Sequence, residues 1–185
     1  MTTRTTVAAR PASVAVRTAR AAVTTLALCV LPSCSLTDDA PSRYAQDYAE
    51  HEPLRVVGYP SSGSLQVVQQ VVWRIADGDA DALRALAGSD GTRSETQATA
   101  GAWIRHFRTG ARGKVTADFY DEGGERQTVV LYFHGTSQRA AVDVRLDGVG
   151  GEDGWRVRMN APDPARDLPD WVPAAPGALG SKTPA

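Results

Sequence analysis

Helical spacing of apolar residues gives way to strict alternation about halfway along the chain. Three segments, residues 65–76, 79–87 and 96–108, carry apolar positions three and four apart, which predicts three helices with one buried face each. From Lys114 onward the period is two, and four strands are predicted over residues 114–120, 126–134, 139–146 and 155–159. Three N-terminal helices followed by four antiparallel strands predict an α+β fold, with the helices packed on one face of a curved sheet.

A family resemblance accompanies this pattern. The run from Val67 to Leu86, with its Gly-Asp turn at Gly78, resembles the opening of the nuclear transport factor two-like superfamily, and residues 154–157 resemble its last strand. The resemblance covers residues 64–160 and implies a cone-like domain. The superfamily contains isomerases, dehydratases, cyclases and non-catalytic binding domains, so the fold by itself implies no activity. Residues 88–95, where these relatives often have a short strand, are loop-forming residues here.

The first 33 residues have the features of a bacterial signal peptide. Four arginines precede an apolar run at residues 21–31, and no acidic residue occurs before Asp38. The run has 11 residues, whereas a membrane-spanning helix needs about 20. Leu31, Ser33 and Cys34 resemble the motif of bacterial lipoproteins, which implies diacylglyceryl transfer to the Cys34 thiol and cleavage after Ser33. The alternative is cleavage nearby, for instance after Ser35, which would give a secreted protein.

Charge and cysteine content exclude some classes of function. The formal net charge is −1, but loss of residues 1–33 removes four arginines and leaves 16 basic against 21 acidic residues. Such a domain is a poor candidate for nucleic acid, because that binding depends on neutralising phosphates. Cys29 and Cys34 are the only cysteines, so the mature domain has no disulfide and no thiolate metal site. The three histidines show no paired spacing, and no metal or other cofactor is expected.

Composition sets the limits of the folded domain at residues 64 and 160. Residues 34–63 are rich in Ser, Pro, Asp and Gly and lack a sustained period, which predicts a lipidated flexible tether. Three tyrosines in this segment leave open the alternative that part of it packs on the domain. Residues 161–185 contain six prolines and are predicted to be a disordered tail.

The two faces of the predicted sheet differ in chemistry. The face under the helices collects only apolar side chains and no ionisable group. The opposite face carries a candidate ligand or partner surface, formed by Tyr132, His134, Asp143, Arg145, Arg156 and Arg158. A solvated face with cross-strand ion pairs is the alternative for this set. Trp73 points away from the apolar stripe of its helix, so it is either covered by the tether or tail or exposed as a contact residue.

These patterns favour a membrane-anchored lipoprotein on the extracytoplasmic face of the cell membrane. Its domain is expected to bind or scaffold a partner protein or an envelope component without catalysis. The apolar inner face supports this interpretation, because an enzyme needs at least one polar group that converges on its pocket. The alternative is a small-molecule-binding protein, or an isomerase-like or cyclase-like enzyme, that uses the cone cavity.

Overall fold

The computed structural model describes residues 40–88, 91–121, 124–147, 154–162 and 171–178, with the backbone alone for residues 40, 41 and 121. The signal-peptide segment and Cys34 lie outside these ranges. The described helices are α1 (Ala40–Glu50), α2 (Ser62–Asp77), α3 (Ala80–Ala85) and α4 (Arg93–Ala111). The described strands are β1 (Arg55–Val57), β2 (Val115–Asp121), β3 (Arg126–Phe133), β4 (Gln138–Leu146) and β5 (Trp155–Arg158). The fold class is mixed α+β, as predicted. Among the described residues, no helix has both the length and the apolar character needed to cross a membrane.

One open sheet contains all five described strands, in the order β1-β2-β3-β4-β5. The β1 strand runs parallel to β2, and every other neighbouring pair is antiparallel. At the β5 edge, Ala87 forms an isolated parallel bridge with Val157, supported by the Gly88 amide donating to the Val157 carbonyl at 3.1 Å. The described residues between α3 and α4, 86–88 and 91–92, therefore add one bridge to the sheet and no strand, in agreement with their loop-forming sequence.

Four helices and five strands differ from the predicted three and four. The additional elements, α1 and β1, lie within residues 34–63, which were predicted to be a flexible tether. Neither element has an apolar stripe long enough to be recognised from its period. The α1 helix packs through Tyr44 and Tyr48, whose rings lie 5.6 and 6.1 Å from that of Trp73. The β1 strand has three residues and is held by pairing with β2.

The inner face of the sheet forms the core, which confirms the predicted strand parity. Trp103 and Trp155 are 2% and 5% exposed, and Phe107 of α4 stacks on Phe133 of β3 with ring centroids 5.0 Å apart. This close approach of helix and strand depends on Gly110, since a Cβ there would lie 2.7 Å from the Phe133 Cβ. Of the described side chains on the inner face of β2–β5, Gln127 and Gln138 are polar: Gln127 is buried, and Gln138 is half-buried and donates to the His106 carbonyl of α4 at 3.0 Å.

Side-chain caps fix the helix ends where the sequence predicts them. The Asp79 carboxylate accepts from the Ala82 amide at 2.9 Å at the start of α3. Gly78 ends α2 in the left-handed conformation, with φ of 84°. Arg108 of α4 and Arg112, the residue after α4, donate to the last carbonyls of α2, with Arg108 Nη2 2.8 Å from the Asp77 carbonyl oxygen. These bonds join the C-terminal ends of α2 and α4.

The outer face of the sheet carries residues 171–178, here called the C-terminal strap. Val172 is 7% exposed and packs with Val130 and Tyr132 of β3. The strap lies in the segment that was predicted to be a disordered tail. The remaining parts of that tail, residues 163–170 and 179–185, lie outside the described residues. A Pro-rich composition does not prevent docking here, because the strap bonds through carbonyls, which proline retains.

Candidate functional site

Three arginines stand in register across the outer face of the sheet. Arg126 of β3 is paired with Arg145 of β4, and Arg145 is paired with Arg156 of β5. We call this set the arginine row. Like charges directly opposite each other on one face of a sheet are destabilising, so the row is unfavourable for folding by itself. Negative charge is therefore expected close to the row, from carboxylates of the chain such as Asp147 beside Arg145 and from an acidic group of a bound partner.

A cleft of about 210 Å³ opens beside the β5 end of the arginine row. Its walls are formed by Ala87, Gly88 and Gly91, the first turns of α4, and the ends of β4 and β5. Arg145, Arg156 and Arg158 line it from the sheet, and Thr96 and Thr99 line it from α4. The cleft thus offers guanidinium and hydroxyl groups to one small volume, which suits an anionic group.

Two carboxylates moderate the charge of the cleft. Arg145 Nε donates to Asp147 Oδ1 at 3.0 Å. Glu95 also lines the cleft, and its Oε2 accepts from the Thr92 amide at 2.9 Å and the Thr92 hydroxyl at 2.8 Å in the capping box of α4. These hydrogen bonds lower the pKa of Glu95, so its carboxylate stays ionised well into acid. The cap fixes Glu95 at the helix end, and Arg156 Nη1 donates to the Trp155 carbonyl at 2.9 Å, so charged groups of both signs have defined positions around the cleft.

The predicted surface is divided by the structure into separate environments. Asp143 is paired in register with Arg158 and accepts from the Thr128 hydroxyl at 2.9 Å, one row away from the arginine row. His134 is exposed, and its Nε2 lies 2.8 Å from the Thr116 hydroxyl. Tyr132 is 5% exposed beneath the C-terminal strap. Arg145, Arg156 and Arg158 are therefore brought together, whereas Tyr132 and His134 lie elsewhere on the face.

Trp73 is not a surface contact residue, since it is 1% exposed. The α1 helix covers it, and its indole Nε1 donates to the Glu52 carbonyl at 3.3 Å. Of the two predicted alternatives for Trp73, coverage by the tether segment is confirmed. A second cleft, of about 410 Å³, opens next to this tryptophan and is lined by Glu50, His51, Asp77 and Arg112, among others.

Two parts of the outer face were missed by sequence reasoning. Arg126 belongs to the arginine row, but its place there depends on strand register, which no short-range pattern reveals. Asp118 and Arg139 bind the C-terminal strap, with Asp118 Oδ2 accepting from the Gly177 amide at 2.8 Å. The signal for this contact was the apolar pair Trp171-Val172 within an otherwise polar and Pro-rich segment.

The comparisons add no relative to this picture. Family models, curated proteins and solved structures were each compared with the chain, and none of the three comparisons finds a match. A function for this chain must therefore be inferred from the geometry of the arginine row and its cleft.

Proposed function

We propose that this chain is a lipoprotein anchored through Cys34 at the extracytoplasmic face of the cell membrane, and that its domain binds an acidic segment of a partner protein. The sequence of residues 1–34 supports the lipid anchor. The helices packed on one face of the sheet support a relationship to the superfamily of cone-like domains. The observation that carries the binding function is the arginine row, formed by Arg126, Arg145 and Arg156.

The size of the cleft favours a side chain over a whole small molecule. Pockets for small ligands usually have volumes of about 300–1,000 Å³. The cleft beside the arginine row, at about 210 Å³, is smaller and has room for one carboxylate with its stem. Neighbouring strands stand about 4.8 Å apart, so a row of three arginines presents cations at intervals that several carboxylates of one segment can meet. An acidic partner segment would thus place one side chain in the cleft and others along the row.

The alternative function, an enzyme or small-molecule carrier that uses the cone cavity, is less well supported. Catalysis there needs a titratable or strongly polar group directed into the interior. The described side chains of the inner face are apolar apart from the two amides Gln127 and Gln138, and the buried members of α2, α4 and the sheet meet in one core cluster. The described charged groups converge outside this interior, on the outer face of the sheet and at the second cleft beside Trp73.

A titration with a defined acidic probe tests the proposal. Hexaglutamate peptide would be added to the isotope-labelled soluble domain at low salt, with amide shifts followed by NMR. We expect shifts confined to residues 87–96, the start of β3, the end of β4 and β5, and an affinity that falls steeply as salt is added. Arg156→Glu should weaken binding about tenfold or more, which corresponds to about 1.4 kcal/mol.

The matched control is Arg105→Glu. Arg105 is exposed on α4 and does not line the cleft, and its substitution changes the net charge by the same amount. Equal losses in Arg156→Glu and Arg105→Glu would mean that hexaglutamate responds to net charge alone, and the assignment of the arginine row would be wrong. A folded Arg156→Glu domain that binds as tightly as the wild type would also contradict it.

A further inference from the structure

The outer face of β2–β4 holds the C-terminal strap through the strap's main chain. The Tyr132 hydroxyl donates to the Pro173 carbonyl at 3.1 Å. Arg139 Nη1 donates to the same carbonyl at 2.8 Å, and the Val172 carbonyl lies 3.4 Å from the same nitrogen. At the other end, the Gly177 amide donates to Asp118 Oδ2 at 2.8 Å. Side chains of the sheet thus hydrogen-bond a main-chain carbonyl near the start of the strap and a main-chain amide near its end.

Two side chains of the strap add selectivity to these main-chain bonds. Val172 fills an apolar site formed with Val130 and Tyr132. Trp171 contacts Tyr120 edge to face, with ring centroids 5.7 Å apart and planes at 76°. Beyond Pro173 the strap turns, and Gly177 has φ of 63°, which favours glycine at that point. An aromatic residue, an apolar residue and a proline in succession are therefore the features that this face selects.

The polar groups that bind the strap are buried parts of the sheet. Asp118 and Tyr132 are 4% and 5% exposed. Asp118 Oδ2 also accepts from the Tyr120 hydroxyl at 3.2 Å. Burial, and then the neighbouring Tyr120 and Asp118, raise the pKa of Tyr132, so its phenol remains a neutral donor for the Pro173 carbonyl. With the strap in place, these buried donors and acceptors are hydrogen-bonded to it, and an occupant that left them without partners would bind less favourably.

We propose that the outer face of β2–β4 is a peptide-binding groove for an aromatic–apolar–proline segment of a partner protein, and that the C-terminal strap is its occupant in cis. Bonds to main-chain groups can be made by any chain that presents the same pattern, as in other peptide-recognition modes. The groove is separate from the arginine row and does not depend on the function proposed above. A tethered occupant has an effective concentration in the millimolar range, so the strap keeps the groove closed to weak competitors.

Exchange of the strap for a labelled peptide tests this groove. The probe is a fluorescein-labelled peptide of residues 169–179, added to the full mature chain, with binding followed by anisotropy. Val172→Asp within the chain should release the strap and raise the affinity for the probe by about tenfold or more, because the competitor in cis is lost. Adding Arg139→Gln to that variant should reverse the gain. A probe that itself carries Val172→Asp should not bind.

A second route covers a Val172→Asp chain that does not fold. A protease site placed at residues 165–168 of the wild-type chain allows the strap to be cut from the folded domain. The cut strap should stay bound in gel filtration and then exchange with the labelled probe. A folded Val172→Asp chain that binds no probe at millimolar concentration would overturn the groove, as would a cut strap that never exchanges. An affinity for the probe that is unchanged when Arg139→Gln is added to Val172→Asp would also overturn it.

Discussion

His51 stacks on Trp73, with ring centroids 5.3 Å apart and planes inclined by 23°. The same imidazole has an oxygen acceptor at each nitrogen, the Asp47 carbonyl 2.8 Å from Nδ1 and Asp77 Oδ1 3.0 Å from Nε2. Neither acceptor can donate a proton, so both hydrogen bonds exist together only in the imidazolium form. Arg74 bonds the carboxylates of Asp47 and Asp77 alongside. The charged histidine therefore fastens the end of α1 to the end of α2.

We expect the hydrogen bonds of His51 that join α1 to α2 to weaken as pH rises. Burial alone would lower the pKa of His51, but its hydrogen bonds to Asp77 and Asp47 outweigh burial and raise that pKa above the ordinary 6.5. A raised pKa in the folded state adds stability that is complete below pH 6.5 and is lost as pH passes the folded value. Other charged groups also lie around the ring. They are Asp47 and Glu50 of α1, Arg74 and Asp77 of α2, Glu52 between these two helices, and Arg112 after α4.

The check is the melting temperature at pH 6 and pH 8.5 for the wild type and His51→Phe. Phenylalanine keeps a ring on Trp73 but does not titrate. The wild type should lose more stability than His51→Phe over this interval. Identical slopes for the wild type and His51→Phe would show that another group controls the pH dependence.

Trp155→Ala should destabilise the domain severely. The ring is 5% exposed in the core, and truncation of a large buried aromatic residue typically costs about 3–5 kcal/mol. A domain of this size has a total stability of about 5–15 kcal/mol, so the denaturant midpoint should fall sharply. Arg158→Ala, on the exposed outer face, should change the free energy of unfolding by no more than about 0.5 kcal/mol. The reverse order of the two effects would contradict the strand parity described above.

Removal of the C-terminal strap should lower the free energy of unfolding by more than the removal of a disordered tail would. A chain that ends at Asp170 loses the burial of Val172, and burial of one such side chain contributes about 1.5–3 kcal/mol. It also leaves Asp118 and Tyr132 without their strap partners. We therefore expect a loss of about 2 kcal/mol or more in urea unfolding, with Pro176→Ala as a mild control. A loss of less than about 0.5 kcal/mol would show that the strap contacts the sheet but does not stabilise the fold.

Lipidation at Cys34 is tested by metabolic labelling with an alkyne fatty acid in a bacterial host. The wild type should carry the label and sediment with membranes, because two acyl chains give stable anchoring where one is marginal. Cys34→Ala should lack the label and accumulate as an unprocessed precursor or leave the membrane. A mature wild-type protein without label would favour ordinary secretion instead.

The elements that could be predicted are those whose own sequence determines a buried face. The α2 and α4 helices carry apolar stripes, and alternation in β2–β5 assigned Trp155 and Val157 to the core. The α1 helix has no such stripe, and what holds it is Trp73, a residue on another helix. The position of Trp73 off its own stripe was the visible sign that something covers it.

Most residues of the candidate site could be predicted from the sequence, but their positions relative to one another could not. Arg145, Arg156 and Arg158 were expected on one face, and they do meet at one cleft. Arg126 was missed because pairing across β3 and β4 sets its position. Tyr132 was placed on the correct face, but its burial depends on Val172, about forty residues later in the chain.

The docking of α1 determines how far the domain can stand from a bilayer. A tether of residues 34–63 would let the domain sample a wide zone above the membrane. With α1 held against α2, Ala40 belongs to the folded body, and it lies only six positions after Cys34 in the sequence. Six residues span about 20 Å when fully extended. On the proposed lipid anchor, the folded body is thus confined to a thin layer next to the headgroups, where it can meet only partners that lie at the membrane surface.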